Sequence, residues 1–238
     1  VPWISDHIKE LNNARPKQPF FFLKPPSSIL LPKSGPFLKP KGVQCHYEVE
    51  LGLVIGKNTR DLKAGDEKGW LDAIEGTFSQ HCTFETQNAD HGDLSVGYLL
   101  AIDMTARNVQ DEAKSKGLPW SIAKGFDTFM PISQFIPKQM IPDPHNVKLW
   151  LSINDQIKQN DNTELMLFRI PRQLSEISKV MTLEKGDIVL TGTPKGVGPV
   201  ATGDVMKAGL SVGGQEISEG NIEVVVEDSP SSYEFKET

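Results

Sequence analysis

The spacing of the apolar residues is what most constrains how this chain can fold. They come in short runs with strand character, and no regular strand–helix alternation links the runs. An open doubly wound sheet needs that repeat and is not expected. Tyr47 to Ile55 begins in strict alternation, with Tyr47, Val49 and Leu51 on one face and His46, Glu48 and Glu50 on the other. Gly97 to Met104, Val147 to Ile153, Ile188 to Thr191 and Asn221 to Val226 read as further strands. Phe20 to Leu23 reads as a strand ahead of irregular turns rich in proline and lysine that run to Gly42. The helices read as short: Ser5 to Asn12, a polar turn or two over Arg107 to Lys116, and Pro171 to Met181, where the proline suits the first helical position. The expected fold class is α+β and β-rich, a mixed β-sheet roll or distorted barrel with short helices.

The chain's 238 residues suffice for one large domain behind a short N-terminal appendage. Residues 75–96 are polar, with few apolar anchors at regular spacing, and read as a surface loop. The formal net charge of −6 and the lack of any Lys/Arg run argue against nucleic acid as a partner and for a small molecule. No apolar stretch approaches the ~18 residues that read as a membrane-spanning helix. Cys45 and Cys82 form neither a CxxC nor a paired framework, which points away from structural zinc and secreted disulfide scaffolds. No basic region followed by an apolar core marks the N-terminus, and the chain begins at Val1, so a removed targeting segment stays open. A mitochondrial location is expected, with the cytoplasm as the alternative.

Chemistry concentrates in a few acids. Glu48 and Glu50, two apart on a strand, put both carboxylates on one face with room between them for a hard cation. The plainer reading is a solvated strand face carrying two ordinary acids. Asp103, at the end of another strand and followed closely by Arg107 and Gln110, shifts the balance. Three oxygen ligands suit Mg²⁺, or Mn²⁺ as the alternative, better than zinc. Arg107 and Gln110 lie three apart, so on a helical turn they face one way and can grip a carboxylate together, or simply form a solvated face. Thr191 to Gly198, TGTPKGVG, gathers glycines around Thr193, which lets backbone amides and a hydroxyl approach a ligand closely. It lacks the ending of a P-loop, and alone it reads more simply as a turn. His7 and Glu10, one turn apart, can act as a general base and its orienting carboxylate, although a helix-surface histidine is the commoner arrangement.

Together these segments resemble the fumarylacetoacetate hydrolase superfamily, in its small acylpyruvase and oxaloacetate decarboxylase branch. The resemblance runs through FFFLKP (20–25), HYEVELGLVIGK (46–57), LAIDMTARNVQDEAKSKGLPWSIAKGFDTFMPIS (100–133), IPDPHNVKLWLSIN (141–154) and GDIVLTGTPKGVGP (186–199). It implies that residues 1–40 form a lid and lead-in segment and 41–238 a catalytic β-roll. It implies Glu48, Glu50 and Asp103 as metal ligands, Lys124 as the lysine reaching the bound substrate, and Arg107, Gln110 and Thr193 as contacts for the substrate's carboxylate and oxo group. His7 and Glu10 match the lid pair that activates water. A homodimer is also implied.

The expected activity is that of a magnesium-dependent hydrolase or lyase acting on small 2-oxo acids. It cleaves acylpyruvates or decarboxylates oxaloacetate through an enolate that the cation stabilises. One alternative is interconversion of the enol and keto forms of oxaloacetate. Another is a catalytically impaired protein that binds a metal or a keto acid.

Overall fold

The computed structural model describes residues 17–74 and 97–237. Its centre is a four-stranded antiparallel sheet in the order Ile188–Leu190, Val49–Val54, Gly97–Ile102, Ile136–Pro137. Val49–Val54 and Gly97–Ile102 are buried along their whole length, which explains why the alternation read from Tyr47 onward gives way to a continuous apolar run. A strand covered on both faces has no solvent side for polar residues to mark. Glu50 is the one acid within that run and is only 2% exposed.

A three-stranded sheet lies next in sequence to this one, in the order Gly198–Pro199, Cys45–Tyr47, Thr105–Ala106. Each of its strands is joined through a short connection to a strand of the four-stranded sheet. Cys45–Tyr47 passes into Val49–Val54 at Glu48, Gly97–Ile102 passes into Thr105–Ala106 at Asp103 and Met104, and Ile188–Leu190 passes into Gly198–Pro199 through Thr191 to Val197. The three connections meet along one seam, where the Asp103 amide donates to the Glu48 carbonyl at 2.8 Å. A chain that changes sheet must leave the ladder locally, and the side chains at such a break can converge instead of alternating.

A larger sheet runs Gln156–Asn162, Lys148–Ile153, Val205–Val212, Ile222–Asp228, Phe37–Lys39, with Gln215–Glu216 also paired to Val205–Val212. Its last pairing, Ile222–Asp228 with Phe37–Lys39, is parallel, so the sheet is mixed. Ile29–Leu30 pairs in parallel with Met130–Pro131. The fold is therefore α+β and sheet-rich, as expected, and among the described residues the roll is made of separate sheets and closes into no barrel. Phe37, Leu51, Leu53, Leu100, Ile102, Phe129, Leu149 and Leu210 belong to one continuous buried core.

Several expectations need correction. Phe20 to Leu23 is not a strand: it pairs with no sheet, and Phe20 and Phe22 pack on Trp120 with ring centroids 5.2 and 5.8 Å apart. Arg107–Lys116 is a full ten-residue helix, closed at Gly117 in the left-handed conformation (φ 66°). The hairpin strand Gln156–Asn162 and the strand Val205–Val212 were not expected. The helix expected over Pro171 to Met181 spans Ile170–Val180, with Pro171 in its first turn. The expected helix at Ser5 to Asn12 and the loop at 75–96 lie outside the described residues.

Candidate active site

Along the seam, oxygen atoms of Glu48, Glu50 and Asp103 lie within 4.8 Å of one another. Glu48 and Asp103 hold their positions because each sits where its strand breaks. Glu50 points to the same place from within the continuous strand.

Two lysines and an arginine surround the acids. Lys124 is at the end of the short helix Ser121–Lys124 and is fully enclosed; its Nζ donates to Asp103 Oδ2 at 2.5 Å, Thr105 Oγ1 at 2.6 Å and Glu48 Oε2 at 3.1 Å. Lys24 approaches from the lead-in segment, where its Nζ donates to Asp103 Oδ1 at 2.8 Å and to the Lys124 carbonyl at 2.6 Å. Arg107, in the first turn of its helix, donates from one terminal nitrogen to Glu48 Oε1 and from the other to Gln110 Oε1, both at 2.6 Å. Arg107 and Gln110 do face one way. Because the Gln110 oxygen is taken by the guanidinium, its amide nitrogen is left as the group that can meet an anion.

The charges are not evenly shared. Burial works to raise the Glu48 pKa, but Lys124 and Arg107 outweigh it and hold the carboxyl well below its usual range. Lys124 is pulled the other way: burial opposes its charge, and Asp103 and Glu48 more than restore it, so its pKa is raised. Lys24 is lowered, by burial first, against the attraction of Asp103. Glu50 is pushed up to about 8, by burial first and then by the neighbouring Asp103 and Glu48 charges. Its Oε2 accepts from the Gly192 amide at 2.5 Å, and among the described residues no cationic side chain forms an ion pair with it. Three buried carboxylates, one of them without a cationic partner among the described residues, are an all-oxygen donor set that fits a hard divalent cation.

The segment Thr191 to Gly198 packs against this cluster. Gly192 reaches Glu50, and the Thr191 hydroxyl donates to the Leu51 carbonyl at 2.8 Å. Gly196 has φ +92°, and a Cβ there would run into the Lys158 carbonyl, so the loop's glycine content serves close backbone approach. Thr193 is buried beside Glu50's partner Gly192.

The structure thus brings together Glu48, Glu50, Asp103, Arg107, Gln110, Lys124 and Thr193. His7 and Glu10 lie outside the described residues. Sequence reasoning missed Lys24, although it quoted the FFFLKP run that contains it. The available signal was a lysine directly before a proline pair, next to aromatics that anchor the segment. The Phe22 ring lies 4.7 Å from Lys124 Nζ, so that anchoring reaches the site. His46 was also passed over: Arg107 Nε donates to its Nδ1 at 3.4 Å, and burial, with Arg107 adding to it, lowers its pKa to about 4.

The sequence matches the family described as fumarylacetoacetate (FAA) hydrolase C-terminal over residues 4–79 and 78–224. It is 48% identical over 222 residues to a *Schizosaccharomyces pombe* protein named oxaloacetate tautomerase oaa1, mitochondrial, covering 93% of this chain and 91% of that one. It is 48% identical over 208 residues to a *Dictyostelium discoideum* protein named oxaloacetate decarboxylase, mitochondrial, covering 87% and 84%. A crystal structure of yeast ynq8, described as a fumarylacetoacetate hydrolase family protein, aligns with a TM-score of 0.80 at 38% identity, covering 98% of this chain and 93% of that one. The two named relatives are both mitochondrial, which bears out the expected location. On the match to the family and on relatives that share nearly half its residues, the chain belongs to the fumarylacetoacetate hydrolase family.

Proposed function

We propose that this protein is an oxaloacetate tautomerase that works with a divalent cation, Mg²⁺ by the chemistry of its ligands. The observation that carries the reading is the buried cluster of Glu48, Glu50 and Asp103 with Lys124 held against it, in a chain 48% identical to a relative named for that activity. Glu48, Glu50 and Asp103 would hold the cation, which when bound supplies Lewis-acid polarisation of a 2-oxo acid.

The rest of the work falls to the protein's own side chains. Tautomerisation breaks the bond between C3 of oxaloacetate and one proton and forms an O–H bond at the C2 oxygen, with no carbon–carbon bond broken. Lys124 stays protonated between Asp103 and Glu48, so it stabilises negative charge as it develops on that oxygen. Arg107 and the amide nitrogen of Gln110 take a carboxylate, and Thr193 contributes a hydroxyl from the opposite loop. Removal of the C3 proton is assigned to His7, oriented by Glu10, on their spacing in the sequence; His7 then gives that proton up to solvent, and the C2 oxygen takes one from solvent, which closes the proton balance. Lys24 braces Asp103 and the Lys124 carbonyl, which fixes the lysine that meets the substrate.

Decarboxylation of oxaloacetate is the second reading, favoured by the *Dictyostelium* relative's name. It needs the same electron sink but releases carbon dioxide. Purified protein assayed with Mg²⁺ on oxaloacetate, following enol absorbance and pyruvate release separately, tests both. Fast enol–keto equilibration without pyruvate supports the tautomerase, stoichiometric pyruvate supports the decarboxylase, and acceleration of neither sinks both in favour of a binding protein. The same assay on acetylpyruvate tests for hydrolysis.

A further inference from the structure

Gln159 is a polar side chain on the hairpin strand Gln156–Asn162, yet it is only 1% exposed. A buried amide is kept only when its hydrogen bonds are made. Its Oε1 accepts from the Val49 amide at 3.0 Å, and its Nε2 donates to Thr193 Oγ1 at 2.9 Å and to the Pro194 carbonyl at 2.9 Å. These partners fix which end of the amide is which. Val49 N–H can only donate and the Pro194 carbonyl can only accept, so the nitrogen must face Thr193.

A hydroxyl has one proton to give. Since Thr193 Oγ1 accepts from Gln159, its own proton must point away from Gln159, and no acceptor among the described residues takes it. Thr193 directly follows Gly192, whose amide binds Glu50, so its backbone adjoins the carboxylate cluster. Val49, at the other end of the same amide, lies between Glu48 and Glu50 in the chain. One side chain therefore ties the loop that bears Thr193 to the strand that bears the acids.

We infer that Gln159 is a positioning residue that turns the Thr193 hydroxyl into a hydrogen-bond donor facing the substrate's carboxylate. This rests on the proposed function, in which Thr193 meets an anionic 2-oxo acid. Gln159 discriminates by polarity: it makes the loop offer a proton to an anion, where an unconstrained hydroxyl would offer either a proton or a lone pair.

The test uses the whole protein, loaded with Mg²⁺, and steady-state tautomerisation of oxaloacetate. Gln159→Glu keeps an acceptor for Val49 but can only accept from Thr193, which reverses the hydroxyl. Gln159→Met removes the amide's hydrogen bonds to Val49, Thr193 and Pro194 at similar volume. Both variants and Thr193→Val are expected to raise KM about tenfold or more, the scale of a lost hydrogen bond to a charged group, with kcat changed far less. Thr193→Ser should restore a near-normal KM. Adding Gln159→Met to Thr193→Val should raise KM no further, because Gln159 acts through Thr193.

Additive effects in the double variant, or a Gln159 loss confined to kcat and thermal stability, would overturn the inference and leave a structural tie. Normal KM in Thr193→Val would instead overturn the reading of Thr193 as a substrate contact, and the inference with it. If the Gln159 variants do not fold, neutron diffraction of the wild-type protein with bound oxalate decides: deuterium on Thr193 Oγ1 aimed at oxalate supports the inference, and deuterium aimed at Gln159 overturns it.

Discussion

Glu48 and Asp103 each have two kinds of neighbour: the other acids of the cluster, and the lysines and arginine that offset them. Removing either acid therefore does more than delete a ligand, because it leaves a buried cation without its partner. Glu48→Ala and Asp103→Ala are expected to abolish turnover and to weaken Mg²⁺ binding by about 100-fold or more. Titration calorimetry checks this, and unchanged affinity in both variants would remove these acids from the metal site. The acids were legible in the sequence because a strand of known phase, with Glu48 and Glu50 two apart, leaves little freedom in where its side chains point. Lys24 and Gln159 were not. Lys24 reaches Asp103 across 79 residues of chain and Gln159 reaches Val49 across 110, and nothing local to either residue marks such a contact.

At the level of single elements, the helix Ile170–Val180 shows how a local cap and a distant residue combine. Pro171 sits in its first turn and needs no amide partner there. The amide of Ile170 donates to His145 Nε2 at 3.1 Å, from a residue 25 positions earlier. An imidazole accepts only while that nitrogen is unprotonated, and burial, with Arg169 adding to it, lowers the His145 pKa. A histidine lowered in the folded state contributes its stability in full above the unfolded value near 6.5, and that contribution is lost as pH falls through the lowered value.

Thermal melts should therefore show wild type losing stability below about pH 6.5, on top of the general acid slope. His145→Phe should start about 1 kcal/mol less stable at neutral pH, the usual worth of a cap, and show a shallower acid slope. Equal slopes in both proteins would remove His145 from the balance. The missed strands have a physical reason at the same scale. Gln156–Asn162 is polar and largely exposed, so it carries no apolar alternation. It is a strand because Asn154 and Asp155 turn the chain with φ of 50° and 64° and lay it against Lys148–Ile153.

Taken as a whole, the molecule keeps a cluster of ionisable groups buried at the meeting of two sheets, with Glu50 unpaired by any cation among the described residues, which costs stability. A cation that binds only the folded chain should raise its melting temperature. At about 100 times its dissociation constant, Mg²⁺ is expected to add about 2.7 kcal/mol, or roughly 5–10 °C for a chain of this size, with EDTA reversing it. No shift in differential scanning calorimetry would count against resident metal. The pairings that bury the cluster are also far apart in the order of synthesis. Val49–Val54 is flanked by Gly97–Ile102 and by Ile188–Leu190, and Phe37–Lys39 waits for Ile222–Asp228. At usual elongation rates on the order of ten seconds pass between translation of Val54 and of Ile188. During that time the strand that carries Glu50 has an open edge, so a ribosome-bound chain is a substrate for chaperones well before it has an active site to protect.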